Sequence, residues 1–246
     1  MNAKMKVLSL ALVGVFGYAG AAMADCPAGP TTADGGAWSA KSTLGGTLAV
    51  TGANGGGLDG SECRLDTQIT TNGPGVNAFV RDDSPNNEPR YRAQFYVDAD
   101  ALGSLTTIQS VKVLGATTTA GAENLTDVVR LSILGNLSGS TKNLGIFTAC
   151  SGQSGGQCSA STPLAAGVNK IEIDWNQAAG TLKVWVNSNT EATATTTVTG
   201  NSAPWGGVDF ATLGLAAPSA GFRSAHLNQV VKFDRFDSRR QTFIGF

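Results

Sequence analysis

Charge is scarce in this sequence. Asp, Glu, Lys and Arg make up only 14% of it, and a single histidine, His226, stands among its 246 residues. That scarcity excludes two classes of partner. No basic stripe of the kind that neutralises phosphates is present, so neither nucleic acid nor an anionic membrane surface is expected. The one basic cluster, Arg239-Arg240, amounts to two charges at a strand end. One histidine and four cysteines without a Cys-x-x-Cys pair also fail to supply a zinc site. Long apolar runs are missing beyond residue 22, where nothing approaches the roughly 18 apolar residues that a membrane-spanning helix needs. Helical periodicity is missing over the same stretch.

The apolar run that does exist belongs to the opening MNAKMKVLSLALVGVFGYAGAAMADCPAG. Lys4 and Lys6 give a positive start, Val7 to Ala22 an apolar middle, and Ala22-Met23-Ala24 a small-residue site before Asp25. This is the layout of a secretory signal peptide over 1–24, cleaved near Ala24-Asp25. The expected product, 25–246, is exported: secreted, periplasmic or at the cell surface. Without Lys4 and Lys6, fifteen basic residues face eighteen acidic ones, a formal charge of −3. Its length suits a single β-sandwich domain.

All four cysteines, Cys26, Cys63, Cys150 and Cys158, fall in 25–246. An even number in an exported chain reads as two disulfides, and three pairings are open. Cys150 and Cys158 bracket the flexible CSGQSGGQC and are the favoured pair. Cys26 then joins Cys63 and fastens the Gly-, Thr- and Ala-rich stretch 25–62, read as loops with one or two edge strands such as Gly46–Val50.

Period-two alternation is what the sequence has in quantity. In Tyr91–Asp98, residues 91, 93, 95 and 97 form an inward face, with Arg92, Gln94 and Tyr96 opposite. Similar segments lie at Ser110–Leu114, Val128–Leu134, Leu144–Thr148, Lys170–Trp175, Thr181–Asn187 and Val230–Phe236, separated by Gly, Asn, Ser and Pro. Many short strands with turn signals between them make an all-β sandwich or barrel. The clearest hairpin is KIEIDW-NQAAG-TLKVWV. Ile171, Ile173 and Trp175 share one face with Leu182, Val184 and Val186, while Glu172, Asp174, Lys183 and Trp185 take the other.

Three stretches, FVRDDSPNNEPRYRAQFYVD (79–98), NKIEIDWNQAAGTLKVWVN (169–187) and VKFDRFDSRRQTFIG (231–245), resemble a group of exported bacterial proteins in the concanavalin A-like lectin/glucanase superfamily. The resemblance implies a two-sheet antiparallel jelly roll with one convex and one concave sheet. It further implies carbohydrate sites on the concave face and, in some members, calcium. The hydrolases of that superfamily carry a Glu, an Asp on the same face and a second Glu five positions after the first. EIDWNQ has Gln177 at that last position, and Gln cannot pass a proton as a carboxyl does. The stretch matches better a structural hairpin downstream of the catalytic strand.

Other matches carry less. Gly152-Gln153-Ser154-Gly155-Gly156 fits G-x-S-x-G but sits in a short Cys-bounded loop with no helix to follow. Gly55–Gly60 fits G-x-G-x-x-G without a strand–helix setting. The final Phe246 follows DSRRQTFIG, which lacks the alternation of a lipid-facing barrel strand. Asp82, Asp83, Asp98 and Asp100 flank one strand and are weak candidates for calcium, with solvated turn acids the plainer reading.

Sugar binding needs an aromatic platform beside polar groups, because a pyranose offers apolar C–H faces and hydroxyl edges. Tyr96, Trp185 and Trp205 are the aromatic candidates, with Arg92, Gln94, Glu172, Asp174 and Lys183 as polar neighbours. The expectation is an exported, non-catalytic carbohydrate-binding module. A polysaccharide-cleaving enzyme and a structural or adhesive surface protein are the alternatives.

Overall fold

A computed structural model describes residues 26–52, 55–119, 126–136, 141–150, 156–200, 205–239 and 241–246. The expected signal peptide and Gly152–Gly155 lie outside the described residues. Two antiparallel seven-stranded sheets form a jelly-roll β-sandwich. With strands numbered along the chain, the first sheet runs in the order β1 (Ala40–Ser42), β4 (Ala78–Asp82), β13 (Phe210–Ala216), β6 (Ser110–Thr118), β7 (Thr126–Gly135), β8 (Lys142–Ala149) and β9 (Gln157–Pro163). The second runs β12 (Thr196–Thr199), β11 (Thr181–Val186), β10 (Val168–Asn176), β5 (Arg90–Asp98), β14 (Val231–Arg239), β3 (Arg64–Ile69) and β2 (Gly46–Thr51).

Alternation explains why the sheets close on each other. Tyr91, Ala93, Phe95 and Val97 of β5, Ile171, Ile173 and Trp175 of β10, and Val231 and Phe233 of β14 enter one core with Val80, Leu114, Leu131, Ile146 and Leu213 of the opposite sheet. Each fully buried Leu, Ile, Val or Phe contributes about 1.5–3 kcal/mol relative to exposure. That sum, rather than any single bond, fixes which face of each strand is outward.

Both disulfides form as expected, Cys26–Cys63 and Cys150–Cys158, with Cα atoms 5.6 and 5.7 Å apart. They fit an oxidising compartment. Cys26–Cys63 holds the N-terminal loop, and Trp38 from that loop packs against Phe236 with ring centroids 4.7 Å apart and the planes tilted by 42°. Among the described residues no helix is long and apolar enough to cross a membrane.

Two details of secondary structure depart from the sequence reading. The β10–β11 turn has four residues rather than five, because Asn176 pairs with Thr181 and extends the ladder. One short helix, α1 (Ala220–Ala225), exists where no helical period is visible. Six residues span under two turns, too few for a pattern, and the Ser219 hydroxyl caps it by accepting from Phe222 N at 3.2 Å.

Candidate functional site

The outward face of the second sheet collects most of the polar residues that the sequence singles out. Register decides their neighbours. Trp185 of β11, Glu172 of β10, Gln94 of β5 and Asp237 of β14 lie opposite one another in one row. Lys183, Asp174, Arg92 and Arg239 make the next row, and Lys170, Tyr96 and Asp234 the row on the other side. Side chains directly opposite stand about 4.5–5.5 Å apart, so each row is a continuous polar and aromatic strip.

This face is not open, as the sequence reading had it. After β14 the chain turns back, and residues 241–246 lie across the middle row. Glu172 Oε1 accepts from Ile244 N at 3.0 Å, and its Oε2 accepts from Gly245 N at 2.9 Å. Phe246 N donates to Asn189 Oδ1 at 2.9 Å. Phe243 meets Trp185 edge-on at 5.6 Å between centroids, and Phe246 meets Tyr96 edge-on at 6.0 Å. Beneath this cover Tyr96, Arg92, Gln94, Glu172, Asp174 and Trp185 are all buried. Lys183, on β11 next to the edge strand β12, remains exposed.

Arg92 is the centre of the cluster. Only 2% of its side chain is exposed, and it pairs with Asp174 at 2.9 Å, Glu191 at 2.8 Å and Glu172 at 3.6 Å. Its guanidinium lies beside both the Trp185 and Phe243 rings, 5.5 and 5.6 Å from their centroids. Asp174 also takes a two-pronged bond from Arg90 at 3.0 and 2.8 Å. Burial pushes the Asp174 carboxyl up, but hydrogen bonds from Arg90 and Arg92 outweigh it and hold the group below the usual carboxylate range. Two kinds of polar atom are left unmatched. Nε and Nη1 of Arg92 and Oε1 of Gln94 are buried without a hydrogen-bond partner.

The remaining candidates fall elsewhere. Trp205 belongs to the core cluster, and its carbonyl accepts from the Gln177 side chain. Asp82 takes bonds from Ser84 N and Ser238 Oγ, Asp83 pairs with Arg81, Asp98 with Lys232, and Asp100 accepts from Gly167 N. No three His, Cys, Asp or Glu side chains gather for a metal among the described residues. His226 is buried, with Nδ1 2.8 Å from Gln229 Oε1 and Nε2 3.0 Å from Gln109 Oε1, well occupied by structure. Sequence reasoning missed Arg90, Glu191, Phe243 and Phe246. The available signal was two phenylalanines three apart across Ile-Gly, in a segment with no alternation of its own.

No protein-family model and no curated protein matches this sequence. Solved structures do. An endo-β-1,4-glucuronan lyase from the fungus Trichoderma reesei is similar with a TM-score of 0.59 at 12% identity, over 89% of this chain and 96% of its own. The cellulose-induced protein Cip1 matches at 0.51 and 12% identity, over 83% of this chain and 89% of its own. A carbohydrate esterase from the Shiga toxin-encoding bacteriophage phi24B matches at 0.51 and 11%, over 82% of this chain and 90% of its own. At such identities these likenesses speak for architecture alone: the chain has a two-sheet antiparallel jelly-roll fold.

Proposed function

We propose that the protein is an exported carbohydrate-binding module that holds a glycan on the outward face of its second sheet. The observation that carries this reading is the register, which brings Trp185, Tyr96, Arg92, Gln94, Glu172, Asp174 and Lys183 into three adjoining rows. Aromatic faces beside charged and amide groups are what sugar rings and hydroxyls require. The fold likeness to a glucuronan lyase, a carbohydrate esterase and a cellulose-induced protein supports the same ligand class.

Binding is favoured over hydrolysis by the state of the carboxylates. A general acid needs a raised pKa, whereas Asp174 is held low by two arginines. Asp174, held by both arginines, is not placed to give up a proton and recover it.

The experiment is affinity electrophoresis of the purified chain in gels containing hydroxyethylcellulose or glucuronan. Retardation is expected from at least one of them, and Lys183→Ala should weaken it with no change in thermal midpoint. A folded protein that neither polysaccharide retards would overturn the proposal.

A further inference from the structure

Resting on that reading of the face, we propose that residues 241–246 are a displaceable strap that competes with carbohydrate for the Trp185–Glu172–Gln94 row. The protein as described is therefore self-occupied, and glycan binds by lifting the strap.

Three observations carry the inference. The strap presents to the sheet the kinds of contact a glycan would present. Its rings cover Trp185 and Tyr96, and its N–H groups donate to Glu172 where hydroxyls could donate. Its attachment is also unlike that of any strand around it. Among the described residues, 241–246 pair with no strand, and their backbone N–H groups donate to the side chains of Glu172 and Asn189. Gln241 and Thr242 are exposed, and Phe243 to Phe246 are only partly buried. Segments with few buried contacts and side-chain-only anchors open at the low end of a protein's range of local stabilities.

The third observation gives the exchange its direction. Under the strap, Arg92 keeps Nε and Nη1 without acceptors, and Gln94 keeps Oε1 without a donor. Nη1 faces Glu172 only at 3.6 Å, beyond hydrogen-bond reach. The Phe243 ring, 5.6 Å from the Arg92 guanidinium, offers neither nitrogen a hydrogen-bond acceptor of the ordinary kind. A hydroxyl can accept from Arg92 or donate to Gln94, so a glycan gains bonds at this row and at the Arg92 row beside it that the strap does not make.

The test measures affinity for hydroxyethylcellulose and glucuronan in three forms: the full chain, a chain ending at residue 240, and Ile244→Pro. The proline removes one N–H bond to the Glu172 carboxylate and leaves both phenylalanines, so it keeps the question open if the truncated chain fails to fold. A bond of this charged kind corresponds to about a tenfold change in the closed population. Ile244→Pro should thus bind about tenfold tighter than the full chain, and the truncated form at least as tightly. Trp185→Ala in the Ile244→Pro background should cancel the gain. Equal affinities in all forms would overturn the strap and leave the carbohydrate reading standing. Binding by none of the forms, all folded, would overturn the carbohydrate reading and the competition with it.

Discussion

Replacing Arg92 by Met keeps the aliphatic stem and removes the guanidinium from the most heavily paired position on the sheet. Of its three acidic partners, Glu172 and Asp174 are buried while Glu191 is exposed, so the Glu191 pair contributes little. Breaking a buried pair by deleting one member costs about 3–5 kcal/mol, because the other charge stays behind. Two features place this case at the low end. Asp174 keeps both bonds from Arg90, and Glu172 keeps the N–H groups of Ile244 and Gly245. The expected loss is about 3 kcal/mol, or roughly 6–12 °C in Tm for a domain of this size. Urea unfolding followed by tryptophan fluorescence should show a lower midpoint at an unchanged slope. Glu172→Gln should then cost at least about 1 kcal/mol less in the Arg92→Met background than in the parent, since its charge no longer has a cation to lose. An Arg92→Met protein within about 0.5 kcal/mol of the parent would refute the reasoning, as would strict additivity of the two substitutions.

Other outcomes test the scaffold. Gly214 has φ +130°, and a Cβ there would lie 2.5 Å from Ala78 O and 2.7 Å from Phe79 Cα, both backbone atoms. Gly214→Ala should cost about 3 kcal/mol by thermal unfolding, and a neutral result would mean that β4 and β13 separate freely. Chain entropy ranks the disulfides by the loops they close, 37 residues apart against 8. Removing Cys26–Cys63 should cost about 4 kcal/mol and removing Cys150–Cys158 about 2.5 kcal/mol; denaturant midpoints in the opposite order would contradict this ranking. The Asp174 pKa is lowered in the folded state, so its stabilisation is present above the unfolded value near 3.9 and is lost as pH falls through the folded one. Asp174→Asn should flatten the fall in urea midpoint below about pH 4, and an unchanged acid limb would count against the Arg90 and Arg92 bonds as its source.

How far this was legible depended on whether a signal lay within one strand. The inward faces of β5, β10, β11 and β14 are written as alternation, and tertiary packing used the faces that alternation offered. β9, Gln157–Pro163, carries only a faint alternation, Cys158 and Ala160 against Ser159 and Ser161, because it is a mostly polar edge strand that among the described residues pairs with β8. The polar row was legible in part. Which residues share the outward face of one strand follows from parity, whereas which of them meet across strands follows from register, and no local pattern encodes register. The ion cluster shows the difference: Glu172 and Asp174 are visible together, but Arg90 and Arg92 reach them only because β5 pairs with β10 in one alignment.

The strap was illegible for a further physical reason. It has no period, since it forms no strand or helix, and its partners include Glu172, Asn189, Tyr96, Trp185 and Arg92, side chains drawn from β5, β10, β11 and the loop after β11. Its position nevertheless follows from what the sheet face demands. An outward row with a fully buried Glu172 beside a nearly buried Arg92 is stable only with something above it to supply donors, since a buried carboxylate with unmet oxygens is expensive. Six residues meet that need for Glu172 and leave Arg92 and Gln94 incompletely met. A cover that satisfies one member of a polar row and neglects its neighbours stabilises the fold while leaving free energy for a better-matched occupant. On this face, the same side chains hold the strap and reward its departure.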